Sequence, residues 1–95
     1  MKHIYTITTM SDLKSLDYRC VGFFYDFETA QEAVINNSCD IHEMTYDYAI
    51  IEEVAEGIYA TTFNIHYYKY NHSTQKYELI EPPKELSYLC GFAIG

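Results

Sequence analysis

The chain has 95 residues, of which 48% are hydrophobic, so it can form one domain over residues 1–95 and is too apolar to be disordered. Six basic residues oppose fourteen acidic ones, for a formal net charge of −8. Charge of this sign repels nucleic acid and anionic membranes, so we expect neither as a direct partner. A basic protein surface remains a suitable partner.

The first half of the chain predicts two strands followed by a helix. β-branched and aromatic residues predict the first strand at residues 2–9, and residues 19–25 predict the second. Gly22 lies inside the second strand and indicates a bulge or a close backbone approach. Asp26 is a candidate N-cap, because a short carboxylate can accept the first free N–H groups of a helix. The helix is predicted over residues 27–37.

The central strand is predicted within residues 46–59. Ala49, Ile50 and Ile51 are apolar at successive positions, so both faces of an extended strand are apolar there. Such a strand needs cover on both sides, which is typical of the middle of a sheet. Gly57 can end it, because glycine tolerates positive φ.

A hairpin is predicted from residues 63–70, a polar turn at 71–76, and residues 77–80. Alternation places Phe63, Ile65 and Tyr67 on one face and Asn64, His66, Tyr68 and Tyr70 on the other. Pro82 and Pro83 end the sheet. The apolar residues after them are expected to dock on the core: Leu86, Leu89, Phe92 and Ile94.

The resulting order is β-β-α-β-β-β. We therefore predict a two-layer α+β domain, with a mostly antiparallel sheet and one main helix packed on it.

The three cysteines indicate a reducing compartment. No apolar leader is expected at the start of the chain, and no stretch approaches the roughly 20 apolar residues needed to span a bilayer. An odd number of cysteines then favours free thiols in a cytoplasmic protein.

Several stretches together resemble a family of short proteins from bacterial genomes and mobile elements, phages among them. They are R-C-V-G-F-F (19–24), A-V-I-N-N (33–37), D-I-H-E (40–43), Y-A-I-I-E-E (48–53) and G-I-Y (57–59), with the hairpin and the closing F-A-I-G (92–95). The resemblance implies a small intracellular accessory protein encoded by a phage, but no activity. Small acidic phage proteins are often antagonists of host defence, so it also suggests an inhibitor.

The cysteines and histidines suggest two chemical sites. Cys39 and His42 have C-x-x-H spacing, and Cys20 and Cys90 could complete a zinc site, but a convincing site would have two closely spaced pairs. Cys39, His42 and Glu43 could serve a small hydrolase, yet no nucleophile elbow or glycine-rich oxyanion loop is present. We therefore expect a non-enzymatic protein without metal or cofactor, and keep a cysteine- or zinc-dependent hydrolase as the third alternative.

The leading hypothesis is a pocket for a nucleotide-like signalling molecule. The polar aromatic face of the hairpin provides stacking rings and hydrogen-bonding groups, and the single arginine can bind a phosphate bidentately. A homo-oligomer could share the pocket between subunits. The predicted ligand-binding residues are Arg19, Asn64, His66, Tyr68 and Tyr70. The alternatives are a solvent-facing sheet surface and an intramolecular ion pair of Arg19.

The second hypothesis is an acidic surface that imitates nucleic acid. If its carboxylates share a face, they could occupy the basic groove of a host nuclease or other effector. Glu52 and Glu53 should point to opposite faces of their strand. The predicted residues are Asp40, Glu43, Asp47, Glu52, Glu53 and Glu56. A solvated face is the simpler alternative.

Overall fold

A computed structural model of the protein describes residues 3–13, 18–58, 62–86 and 92. The elements are β1 (His3–Met10), β2 (Arg19–Phe24), α1 (Phe27–Ile35), β3 (Tyr48–Ala55), β4 (Thr62–Asn71) and β5 (Lys76–Ile80). The five strands form one antiparallel sheet in the order β2-β1-β3-β4-β5, and α1 packs on it, which confirms the predicted two-layer α+β fold. Short 3-10 helices lie at Ser38–Asp40 and Lys84–Leu86.

The central strand β3 has a core on each of its faces, as its sequence predicts. Ile51 is buried in the cluster beneath α1, together with Val34 and Tyr68. Ile50 is buried on the opposite face, in a cluster that includes Tyr67 and Phe92. Both isoleucines are fully buried, because β3 pairs with a strand on each side and carries a layer on each face.

The edge strand β2 contains the predicted bulge. Ile7 of β1 pairs with Gly22, whereas Thr8 pairs with Cys20, so Val21 is the extra residue. A Cβ atom on Gly22 would meet nothing within 4 Å. A side chain at position 22 would therefore fit, and the bulge does not require a glycine there for lack of space.

Local signals define both ends of α1. A carboxylate oxygen of Asp26 accepts a hydrogen bond from the backbone N–H of Thr29 at 3.0 Å, which confirms the predicted N-cap. The helix ends at Ile35, two residues earlier than predicted, and Asn37 has a left-handed φ of 51°. Asparagine tolerates this conformation better than most residues.

A second bulge changes the predicted face of one residue in β4. Glu52 pairs with Ile65, but Val54 pairs with Thr62, so the register shifts between them. The ring of Phe63 consequently stacks on His3, with 4.9 Å between the ring centroids. The prediction that Phe63 shares a face with Ile65 and Tyr67 is therefore wrong.

The face of the sheet opposite α1 is covered in part by the end of the chain. Phe92 is buried there, and its ring meets the rings of Tyr18 and Tyr67 edge to face. This agrees with the predicted docking of the apolar C-terminal residues, although Leu89 and Ile94 lie outside the described residues. None of the helices within the described ranges is long and apolar enough to cross a membrane.

Candidate functional site

The hairpin face that was predicted to bind a ligand lies under the helix. Tyr68 is completely buried, and its hydroxyl accepts a hydrogen bond from Nε2 of Gln31 at 3.1 Å. The ring of His66 lies 4.7 Å from that of Phe27, the first residue of α1. As a correction to the sequence-based interpretation, Tyr68 belongs to the core and offers no exposed surface for stacking.

The remaining predicted pocket residues are far apart within one chain. Arg19 lies in one row across the sheet with Thr9, Ala49 and Tyr68, and three strand spacings separate Arg19 from Tyr68, about 14 Å. Asn64 lies four residues along β4 from Tyr68, and its side-chain amide donates to Oε1 of Glu53 at 2.7 Å. A single chain therefore does not gather the five predicted residues.

Arg19 makes the intramolecular ion pair that was the alternative to ligand binding. Its guanidinium donates to Oε2 of Glu43 and lies 5.1 Å from the ring centroid of Tyr46. The hydrogen bond with Glu43 is the main reason that the pKa of Arg19 is raised. A phosphate would have to displace this carboxylate in order to bind Arg19.

Within the described residues, two cavities lie elsewhere, between β2, α1 and the following loop. One has a volume of about 180 Å³ and is lined in part by Val21, Phe24 and Cys39. The other has a volume of about 280 Å³ and lies beside Thr29 and Glu32. None of the five predicted ligand-binding residues lines either of them, and both are smaller than the 300–1,000 Å³ typical of small-molecule pockets.

Tyr70 belongs to a different arrangement, which sequence reasoning missed. Its ring stacks on the imidazole of His42, with centroids 3.7 Å apart and planes inclined by 8°. Nε2 of His42 lies 3.0 Å from Oδ1 of Asp47, and Nε2 of His72 lies 3.3 Å from the same oxygen. We call His42, Asp47, Tyr70 and His72 the histidine cluster.

The segment that carries two of these residues is the acidic loop, residues 37–47. Its conformation is unusual, because five of its residues other than glycine have positive φ: Asn37, Cys39, Asp40, Glu43 and Met44. Positive φ is disfavoured for such residues and persists only where surrounding contacts impose it.

Contacts to the hairpin hold the acidic loop in place. The hydroxyl of Tyr77 donates to the carbonyl oxygen of Tyr46 at 2.5 Å. The backbone N–H of Tyr70 donates to the carbonyl oxygen of Asp47 at 2.7 Å. Inside the loop, the side-chain oxygen of Asn37 accepts from the backbone N–H of His42 at 3.0 Å. These bonds fix the loop against β4 and β5.

Three of the six predicted acidic-surface residues come together on this loop. Asp47, Asp40 and Glu43 are all close enough to Tyr77 for their negative charges to raise its pKa, in addition to the larger effect of burial. Asp40 and Glu43 are exposed, and Asp47 is partly exposed. The acidic loop therefore presents a local concentration of negative charge.

The other three predicted acidic residues lie elsewhere. Glu52 is completely buried on the face of the sheet opposite α1, where its carboxylate accepts from the backbone N–H of Phe92 at 2.9 Å. Its assignment to a surface is therefore wrong. Glu53 points to the other face, as alternation predicts, and hydrogen bonds from Asn64 and His3 lower its pKa. Glu56 is exposed beyond the end of β3, away from the acidic loop.

The predicted cysteine chemistry is not assembled in the described part of the chain. Nε2 of His42 is directed to Asp47, and the thiol of Cys39 is exposed and free. In the described ranges the one group of three side chains suited to a metal ion is His42, Asp47 and His72, which contains no cysteine. Cys90 lies outside these ranges.

Searches of protein-family models, curated proteins and solved structures found no match to this chain. The resemblance to short phage-associated proteins and the expected homo-oligomer both remain predictions.

Proposed function

We propose that this protein is a non-enzymatic binding protein whose acidic loop docks on a basic surface of another protein. The best-suited surface is a groove that otherwise holds nucleic acid, as in a nuclease or a defence effector. The protein would then act as an inhibitor by occupying the groove. It would work in the cytoplasm, which the exposed free thiols of Cys20 and Cys39 favour.

The observation that carries the proposal is the concentration of carboxylates around one buried hydroxyl. Burial is the main cause of the raised pKa of Tyr77, and the negative charges of Asp47, Asp40 and Glu43 add to it, so all three act on the same hydroxyl. Arg19 pairs with Glu43, so it compensates only part of this charge. On a chain with a net charge of −8, such a surface attracts lysine and arginine side chains and repels phosphate.

The geometry of the loop supports docking as well. Its unusual backbone is fixed by hydrogen bonds to β4 and β5 rather than left free, so its carboxylates are already positioned before a partner arrives. Met44 is 87% exposed on the same loop and supplies an apolar contact beside the charges. Methionine adapts readily to a partner surface.

A nucleotide-binding pocket is less well supported. The predicted lining residues are dispersed, and Tyr68 is buried under α1. Such a pocket would have to form between two copies of the chain. Docking by the acidic loop needs no second copy.

The test compares two variants that carry the same change of charge. The double variant Asp40→Asn/Glu43→Gln changes the net charge from −8 to −6 at the loop, and Glu81→Gln/Glu85→Gln makes the same change at exposed positions after β5. Each protein is immobilised and exposed to a bacterial lysate at increasing salt concentration. Mass spectrometry identifies the retained proteins, and their affinities are then measured after purification.

We expect a basic nucleic-acid-binding protein to be retained by the wild type and by Glu81→Gln/Glu85→Gln, but lost from Asp40→Asn/Glu43→Gln. Its affinity should fall steeply with salt, because exposed charges are screened beyond about 10 Å at 0.1 M. Double-stranded DNA should compete for it. Equal retention by both double variants, or no effect of DNA, would show that the acidic loop is not the docking surface.

A further inference from the structure

We infer that His42, Asp47 and His72 form a binding site for one divalent transition-metal ion. The two imidazoles and the carboxylate converge on a common point, since their ligand atoms all lie within 4.8 Å of one another. Metal binding requires no partner protein, so this inference does not rest on the docking proposed above; Asp47 belongs to both sites, and a bound cation would offset part of the charge of the acidic loop.

The distances are close to those of a coordinated ion. A tetrahedral ion bound at about 2.0–2.1 Å holds its ligand atoms about 3.3 Å apart. Nε2 of His42 and Nε2 of His72 lie 3.0 and 3.3 Å from Oδ1 of Asp47. The ligand nitrogens of His42 and His72 lie within 4.8 Å of each other, and the exposed His72 side chain can move to bring them to the spacing of a bound ion.

The surroundings favour a cation and leave room for it to enter. The side chain of His42 is only 8% exposed and is held by its stack on Tyr70, so one ligand is already oriented. The side chain of His72 is 68% exposed, which opens the site to solvent. Asp40 and Glu43 lie on the same loop as two of the ligands and add negative charge to it.

The ligand types define the class of metal. Two imidazoles and one carboxylate suit Zn²⁺, Co²⁺, Ni²⁺ and Cu²⁺, whereas Mg²⁺ and Ca²⁺ prefer oxygen ligands. Three protein ligands leave one or more positions for water or for a ligand atom from another molecule. We therefore expect Zn²⁺ and Co²⁺ to bind, and Mg²⁺ and Ca²⁺ to bind far more weakly.

The experiment titrates the purified full chain with Co²⁺ and follows the histidine ring signals by NMR. The chain has four histidines, so His3 and His66 serve as internal controls. His72→Asn removes an exposed ligand with little risk to folding, and circular dichroism checks that it folds. Ser73→Asn is the matched control, because it changes the next exposed residue of the same turn.

We expect one Co²⁺ per chain, with broadening of the His42 and His72 signals and unchanged signals from His3 and His66. His72→Asn should bind at least about 10-fold more weakly, and Ser73→Asn should bind like the wild type. Zn²⁺ should displace Co²⁺. The inference is overturned by absence of binding, by a thiolate-to-cobalt absorption band, by broadening of His3 or His66, or by wild-type affinity in His72→Asn.

Discussion

The alkaline stability of the protein should depend on the hydroxyl of Tyr77. This side chain is 1% exposed and donates its hydrogen bond to the carbonyl oxygen of Tyr46. Burial raises the pKa of Tyr77 well above its usual value of 10.0, and the negative charge of Asp47 raises it further. Tyr77→Phe removes the titrating group but preserves the ring that packs in the core.

The sign and size of the effect follow from the raised pKa. The contribution of Tyr77 is fully present below the pKa of the unfolded chain, near 10, and is lost as the pH rises toward the folded-state pKa. The loss between pH 9 and pH 11 is about 1.4 kcal/mol. At pH 7, Tyr77→Phe should be less stable than the wild type by about 1 kcal/mol because it lacks the hydrogen bond.

Urea unfolding, followed by circular dichroism in steps from pH 7 to pH 11, measures both quantities. The difference in unfolding free energy between the wild type and Tyr77→Phe should fall by about 1.4 kcal/mol between pH 9 and pH 11, so it should change from about 1 kcal/mol in favour of the wild type to slightly in favour of Tyr77→Phe. Other titrating groups are common to both proteins and cancel in this difference. Tyr25→Phe is the control for removal of an exposed hydroxyl, because Tyr25 is 77% exposed. A constant difference for Tyr77→Phe would refute the buried environment assigned to its hydroxyl.

Three other substitutions test separate parts of the structure. The hydrogen bond from Asn64 lowers the pKa of Glu53 below its usual value of 4.5. The ionised Glu53 side chain therefore stabilises the fold at a pH above 4.5, and this stabilisation is lost as the pH falls through the lowered pKa. In urea titrations, Glu53→Gln should therefore lower the unfolding free energy by about 1 kcal/mol at pH 7 and by less at pH 3. The same loss of unfolding free energy at both pH values would contradict this. Met44→Gly should stabilise the fold by up to about 1 kcal/mol, because Met44 has a φ of 67° and is mostly exposed. Met44→Ala should show no gain in the same measurement, and an equal gain would exclude backbone strain as the cause. Asp26→Ala should lower the unfolding free energy by about 1 kcal/mol, because the hydrogen bond from the Thr29 N–H is lost. Asp26→Asn should retain most of this stability, because asparagine can also accept the hydrogen bond. Equal losses in the two variants would argue against the N-cap.

Short-range signals made much of the fold predictable. Asp26 directly precedes α1 and caps it, and the alternation of the hairpin gives its two strands. Ile50 and Ile51 identify the central strand because consecutive apolar residues in a strand face opposite sides. These features depend on neighbours in sequence or on strand periodicity, so they require no knowledge of distant contacts.

The candidate site was much less predictable. Asp47 follows His42 by five residues, but His72 lies in a turn 25 residues further on, and no spacing signal connects them. They meet because the acidic loop packs across β4 and β5, where Tyr46 and Asp47 bond to the hairpin backbone and side chains. Only the packing of these two segments creates the histidine cluster.

The order of the elements, the central strand and the net negative charge follow from the amino-acid sequence alone. Which face of the sheet α1 covers depends on tertiary packing, and this packing makes Tyr68 a core residue. The sequence is ambiguous there, because tyrosine can lie in a core when its hydroxyl finds a partner, and that partner, Gln31, lies on another element. The same holds for Glu52, whose burial depends on the backbone N–H of the distant Phe92. Burial of a polar group is decided by partners that only the folded chain brings within reach.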